Sequence, residues 1–228
     1  MTDVEEKVIK KYAKTIELSD SLKVPLLNWG YWPEGFSEEQ IQDRSDASLR
    51  LIHKLVKEAG ISSQHQVLDV GCGPGGTSVT IQEASGCQQV TGVDICGTEI
   101  AYASMRLAAR PDLQGLVSYQ EMNATDLYFP GNIFDRVVAV ECAFHFQHRI
   151  NFLKEAYRVL KPDGQLVLTD WIKGRSTNSG VNKKLGDVAL KFWGIPEANI
   201  IEAQSYKAML KDLGFSKIRV ESMADHVI

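Results

Sequence analysis

The chain has 228 residues, 44% of them hydrophobic and only seven prolines, which suits one globular core with room for a small helical attachment. A formal charge of -4 and an isoelectric point near 5.8 argue against a nucleic-acid partner, which needs a basic face. The first turn of sequence carries Asp3, Glu5 and Glu6 where a signal peptide is basic. No apolar run approaches the roughly 18 residues of a membrane span, so cytoplasmic residence without a transmembrane segment is the expectation. Cys72, Cys87, Cys96 and Cys142 form no C-x-x-C pair and are expected to be reduced thiols.

Val8, Ile9, Tyr12, Ala13 and Ile16 share one face of a predicted helix over about residues 4 to 18, which must lie over something. Leu26 to Pro33 follows, dense in aromatics and interrupted by Gly30. It reads either as a satellite core cluster or as a lid over a binding mouth. Ser37-Glu38-Glu39-Gln40 has the form of a capping box, and Ile52, Leu55, Val56 and Ala59 continue at helical spacing to Gly60. A helix over about 37 to 59 is predicted, with His53 as a surface or packing residue.

Val67-Leu68-Asp69-Val70-Gly71-Cys72-Gly73-Pro74-Gly75-Gly76 describes a buried parallel strand turning sharply into a helix. Gly71, Gly73 and Gly76 satisfy the dinucleotide pattern G-x-G-x-x-G, so the glycines alone leave the ligand open. Asp69 narrows it, because a carboxylate repels a pyrophosphate and attracts an ammonium or sulfonium group. The stretch resembles the first motif of the class I S-adenosylmethionine-dependent methyltransferases, Asp-x-Gly-x-Gly followed by Pro74 and Gly75. Gly30-Tyr31-Trp32 is likewise similar to an element preceding the core in members that act on small molecules such as sterols, tocopherols, quinone precursors and natural products.

Gln89 to Ile95 reads as the second strand, ending at Asp94, where a carboxylate 18 positions beyond Gly76 suits both hydroxyls of a ribose. Thr98 opens a helix whose Ile100, Ala103, Leu107 and Ala108 side packs inward before Pro111. A weaker strand, Leu116 to Glu121, leads to Met122-Asn123-Ala124, and Phe134 to Glu141 is the fourth strand. Phe144-His145-Phe146 stands on the turn after it; His145 and His148 lack the further partners a metal site needs, so none is expected. A helix over about 151 to 160, a Lys161-Pro162-Asp163-Gly164 turn and a fifth strand, Gln165 to Trp171, follow. This Leu-Lys-Pro-Asp-Gly turn is again similar to the methyltransferases. Beyond it a mobile loop over 173 to 184, helices over 185 to 193 and 204 to 213, and a last strand, Lys217 to Glu221, are predicted.

The predicted fold class is α/β, a doubly wound, mostly parallel, Rossmann-like methyltransferase sheet. Residues 1 to 60 form its helical lid and 61 to 228 an S-adenosylmethionine-binding domain with a loop-helix insertion over about 172 to 203. The resemblance implies that Gly71 and Gly73 pass the methionine part, that Asp69 helps hold its ammonium through water, and that Asp94 takes the ribose. Ile95 packs on adenine, and Asn123 with Ala124 meets the adenine edge, Asn123 standing where relatives carry an acid. Glu99 falls where relatives often carry glutamine near the nucleoside, Glu141 is expected either to bind the methionine ammonium or to face a cationic substrate, and Tyr31 and Trp32 close over the top.

Methyl transfer from a sulfonium asks the protein chiefly to align donor and acceptor and to exclude water, plus a base where the acceptor is weakly acidic. His145 is the expected base and Asp170 its orienting or substrate-holding partner, an assignment the family's natural-product members also imply. Trp29, Tyr31, Trp32, Phe144, Phe146, Trp171, Phe192 and Trp193 favour an apolar or aromatic small-molecule acceptor for O-, C- or N-methylation. A homodimer stays open. Relatives continue into a seventh, antiparallel strand, so the resemblance implies a short or truncated chain. A nicotinamide-dependent oxidoreductase and a noncatalytic binding module are the competing readings.

Overall fold

The computed structural model describes residues 2–13, 26–32, 44–173 and 194–226. Five parallel strands form one sheet: β1 (Gln66–Val70), β2 (Gln89–Asp94), β3 (Val117–Glu121), β4 (Phe134–Val140) and β5 (Leu160–Thr169), in the spatial order β3-β2-β1-β4-β5. Six described helices accompany it: α1 (Asp3–Ala13), α2 (Arg44–Glu58), α3 (Gly76–Ser85), α4 (Gly97–Ala108), α5 (Arg149–Val159) and α6 (Ala203–Asp212). This is the doubly wound sheet expected from the sequence, and its order reverses between β1 and β4. A crevice opens at the carboxyl ends of the strands on either side of such a reversal.

Alternation along the central strands divides the core in two. Leu68, Val70, Val93, Val137 and Ala139 face a cluster containing Phe152, Leu153 and Ala156 of α5 and Tyr206 and Leu210 of α6. Val67, Val90, Val138 and Val140 face the opposite cluster, with Leu51, Ile52 and Leu55 of α2 and Ile81 of α3. Phe152, Leu51, Ile52 and Leu68 are wholly buried, each stabilising the fold by about 1.5–3 kcal/mol relative to exposure. Both sheet faces being covered explains why β1, β2 and β4 read as continuous apolar runs.

Two sequence expectations are corrected. The ladder pairs Phe134 with Leu160 and then Arg136 with Gln165, so the Lys161 to Gly164 turn bulges out within β5 opposite Asp135 and does not precede the strand. Asp163 takes φ +63° there, and Lys161 closes the bulge with a 2.9 Å ion pair to Asp135. Lys217 to Glu221 forms no strand: Lys217 turns left-handed at φ +54°, which breaks an extended run, and Arg219 pairs with Glu221 and Glu58. The capping box at 37–40, the helix over 185–193 with Phe192 and Trp193, and the loop beyond Lys173 lie outside the described residues. Among the described residues no helix is long and apolar enough to cross a membrane.

Candidate active site

β1 ends in a turn that only a bare backbone can make. Gly71 sits at φ +69°, and a Cβ there would lie 2.6 Å from that of Cys142, on the loop after β4. The strand ends thereby approach closely and floor a cleft of about 1010 Å³, its mouth included. One half of the cleft is built by Gly71 to Pro74, by Asp94, Ile95 and Cys96 at the end of β2, by Glu99 of α4, and by Met122 to Thr125 after β3. The other half holds Glu141, Cys142, His145 and Phe146, while Glu5, Val8, Ile9 and Tyr12 of α1 cover it together with Leu27 and Asn28.

The lining is acidic, with Glu5, Asp94, Glu99 and Glu141 and, among the described residues, no lysine or arginine. Asp94 accepts hydrogen bonds from the backbone N–H of Gly73 at 3.0 Å and of Cys96 at 2.9 Å. Burial raises its pKa, and the amides of Cys96, Gly73 and Ile95 oppose that rise. Acceptor capacity is left on both oxygens, as ribose hydroxyls require. Glu141, a non-glycine residue at φ +50°, accepts the Trp29 N–H at 2.7 Å. Glu99 is 2% exposed and Ile95 is half-buried at the cleft. Gly73 and Ala124 are also at the lining.

Asp69 lies beneath the turn, wholly buried, rather than at the lining. The Ser78 hydroxyl donates to its Oδ2 at 2.7 Å, and Oδ1 has no hydrogen-bond partner among the described residues. Burial pushes its carboxyl up to about 7, with Ser78 opposing and the charge of Asp94 adding to the rise.

Asn123 lies at the expected edge, but its carbonyl is already engaged. Oδ1 accepts both the backbone N–H and the hydroxyl of Thr125, each at 2.9 Å, while Nδ2 donates to Glu5 Oε1 at 2.9 Å.

His145, 6% exposed, is set into the cleft by a short 3-10 turn, Ala143–His145. Its Nε2 shares a 2.8 Å hydrogen bond with the Tyr12 hydroxyl of α1, and its ring packs against Phe144 at 4.4 Å between centroids, tilted by 54°. Burial depresses the imidazole to about 4, the positive charge of Lys11 adds to the effect, and the nearby Gly194 backbone opposes it. The ring is therefore neutral at physiological pH.

Asp170 does not join His145. It is 7% exposed and engaged by Arg149 at 3.1 Å, by the Tyr206 hydroxyl at 2.9 Å and by the Trp171 N–H at 2.9 Å. Burial pushes it up to about 6, against the pull of Arg149 and Tyr206. This ion pair ties the end of β5 to α5 and α6. Asp170→Ala strands the Arg149 guanidinium, itself 2% exposed, and is expected to destabilise the fold by about 3–5 kcal/mol, read from urea melts. A loss under ~1 kcal/mol would show the pair to be solvated.

Tyr31 and Trp32 also lie away from the lining. Tyr31 stacks 4.8 Å from His226, and Trp32 is 4% exposed, its backbone N–H donating to the His226 carbonyl at 2.8 Å. Gly30 explains the docking: at φ +85° it lies so close to α2 that a Cβ would come 2.6 Å from that of Ala47. The same segment instead delivers Leu27 and Asn28 to the cleft. Sequence reasoning missed Glu5 and Tyr12 as site residues; the apolar stripe of α1 gave a buried face without saying what it faces. Arg149 was missed too, its partner lying 21 positions away across a strand. All four cysteines are free, and no group of three or more possible metal ligands occurs among the described residues.

Sheet order and glycine turn define a doubly wound α/β fold with an acid-lined cleft at its switch point. The family described as "Methyltransferase domain" matches residues 68–168. Erythromycin 3''-O-methyltransferase of Saccharopolyspora erythraea is 32% identical over 209 residues, covering 89% of this chain and 65% of that protein's length. The 27-O-demethylrifamycin SV methyltransferase of Amycolatopsis mediterranei is 26% identical over 217 residues, covering 95% of this chain and 76% of its own. Among solved structures the [4+2]-cyclase SpnF superposes with a TM-score of 0.77 at 22% identity, covering 96% of this chain and 74% of SpnF. Over residues 68–168 the chain is thus similar to the methyltransferases of this family, and it spans 65% of the length of the erythromycin enzyme it resembles.

Proposed function

We propose that this chain transfers the methyl group of S-adenosylmethionine to a hydroxyl of a small, largely apolar acceptor, with His145 as general base. The observation that carries this reading is a neutral, buried imidazole facing the same cleft as four carboxylates. The carboxylates suit a ligand bearing sulfonium and ammonium charges and disfavour the pyrophosphate of a nicotinamide cofactor. Asp94 would hold the ribose, Gly71 and Gly73 would leave room for the methionine chain, and Glu141 would face its ammonium. When bound, S-adenosylmethionine supplies an activated methyl group for in-line displacement.

The chain's own work is then alignment, water exclusion and removal of one proton. Nε2 of His145 is engaged by the Tyr12 hydroxyl, so an acceptor hydroxyl would take the place of Tyr12 on that nitrogen and give up its proton there as the new O–C bond forms and the S–CH3 bond breaks. Val8, Ile9, Leu27 and Phe146 line the same cleft and favour an apolar acceptor body, whereas Phe144, Trp171 and Trp29 pack on one another away from the lining. The kinship with enzymes named for O-methylation of erythromycin and demethylrifamycin supports oxygen over carbon or nitrogen.

The test is incubation with S-adenosylmethionine and a panel of hydroxylated macrocycles, phenols, prenylated rings and amines, read as release of S-adenosylhomocysteine together with a mass gain of one methylene. Tight S-adenosylhomocysteine binding with no transfer to any acceptor would favour the noncatalytic reading. The pH profile gives a second check. Protonation removes the base, and its depressed pKa keeps His145 neutral below the ordinary histidine range. The acid limb of kcat/KM is therefore expected near pH 4, not near 6.5. The same depression makes His145 destabilise the fold progressively as pH falls from about 6.5 toward 4, where the unfolded chain takes up the proton first, so the loss of stability begins above the acid limb of activity.

A further inference from the structure

We propose that Glu5, carried into the cleft by α1, is the residue that recognises the exocyclic amino group of adenine, so that adenosyl binding and seating of α1 are one event. The inference rests on the S-adenosylmethionine reading of the cleft and adds a specificity-determining residue to it. The starting point is the spent carbonyl of Asn123. An amide oxygen has two lone pairs, and Thr125 fills both with its N–H and its hydroxyl. Asn123 is thereby locked with Nδ2 facing the cleft, a donor where an adenine amino group needs an acceptor.

That acceptor stands next to it. Glu5 lines the same cleft and takes the Asn123 Nδ2–H on Oε1 at 2.9 Å. Its position is fixed by a reciprocal cap at the start of α1: Thr2 N–H donates to Glu5 Oε2 at 2.6 Å, and Glu5 N–H to Thr2 Oγ1 at 3.3 Å. A carboxylate offers about four acceptor positions, so two donors leave Oε1 free to take another. The second Nδ2–H of Asn123 is likewise uncommitted. Side by side, Glu5 and Asn123 present an acceptor and a donor, which complements the amino donor and adjacent ring-nitrogen acceptor of adenine. A hypoxanthine ring reverses that pattern, setting its oxo group against the carboxylate.

The experiment is calorimetric titration of the full chain with S-adenosylhomocysteine and with S-inosylhomocysteine, for the wild type and for Glu5→Gln. The wild type is expected to prefer the adenine ligand by at least about tenfold, the discrimination typical of a paired donor and acceptor reading a base. Glu5→Gln preserves the size of the side chain and an oxygen for the Thr2 cap, and its amide can turn toward an oxo group. The preference is therefore expected to collapse toward one, mainly through weaker adenine binding. Protection of Lys10 and Lys11 of α1 from trypsin by S-adenosylhomocysteine is expected in the wild type and not in the variant.

An unchanged preference in Glu5→Gln, or equal weakening of both ligands, would leave Glu5 a mere staple of α1 and overturn the proposal while the cofactor assignment stands. Failure of the wild type to bind S-adenosylhomocysteine at all would overturn the cofactor reading, and this inference with it.

Discussion

His145→Ala is expected to lower kcat for methyl transfer by about 10²–10⁴-fold, the usual contribution of a positioned general base, while the affinity for S-adenosylhomocysteine stays essentially unchanged. The split follows from where the ring lies. It sits in the half of the cleft away from Asp94 and Ile95, bonded to Tyr12 and packed against Phe144. Loss of the imidazole removes a proton acceptor without disturbing the carboxylates at the other end. Truncation also leaves a small buried void, so a modest loss of stability accompanies it and must be measured separately by thermal melting. The decisive comparison is with an acceptor already ionised at assay pH. If His145 acts as base, such an acceptor is methylated by the variant at nearly the wild-type rate, and a neutral alcohol is not. Equal losses for both would assign His145 to packing or alignment instead.

How much of this was legible beforehand depended on the range of the interaction involved. The strands, the glycine turn and the strand-end carboxylate Asp94 follow from local patterns: apolar runs that must be buried on both faces, and a turn whose backbone admits no side chain. The doubly wound parallel sheet and the described helices beside it matched that reading. What failed were features decided by contacts far apart in sequence. Asp170 read as a site residue because it ends a strand at the binding edge, yet Arg149 and Tyr206 claim it from two different helices. Tyr31 and Trp32 read as a lid, but Gly30 seats them against α2 and His226, and the cover over the cleft comes from α1. Asn123 read as an adenine acceptor because its identity shows a carbonyl. Only the folded loop reveals that Thr125 has already filled it. In each case the residue type was read correctly, and its partner was the part that composition and spacing do not encode.

Asp94→Ala carries the other large effect, on the cofactor. The affinity for S-adenosylhomocysteine is expected to fall at least about 100-fold, since two hydrogen bonds from ribose hydroxyls to a carboxylate are worth about 1.5–3 kcal/mol each. The change does more than delete acceptors for a ligand. Gly73 and Cys96 lose the oxygens that hold their N–H groups at 3.0 and 2.9 Å, so the turn that fits the methionine chain loosens as well. Against this runs an electrostatic gain. The charge of Asp94 helps push Asp69 up to about 7, and its removal lets Asp69 ionise at lower pH. Asp69 favours the folded chain most at low pH, where its raised folded pKa keeps it protonated, and that contribution is lost as pH rises toward 7. The variant's stability is accordingly expected to depend less on pH between about 5 and 7 than the wild type's. Calorimetric titration and melts across that range separate the two effects. Retained nucleoside affinity in a folded Asp94→Ala chain would move the ribose to another carboxylate, of which Glu99 is the one at the same end of the cleft.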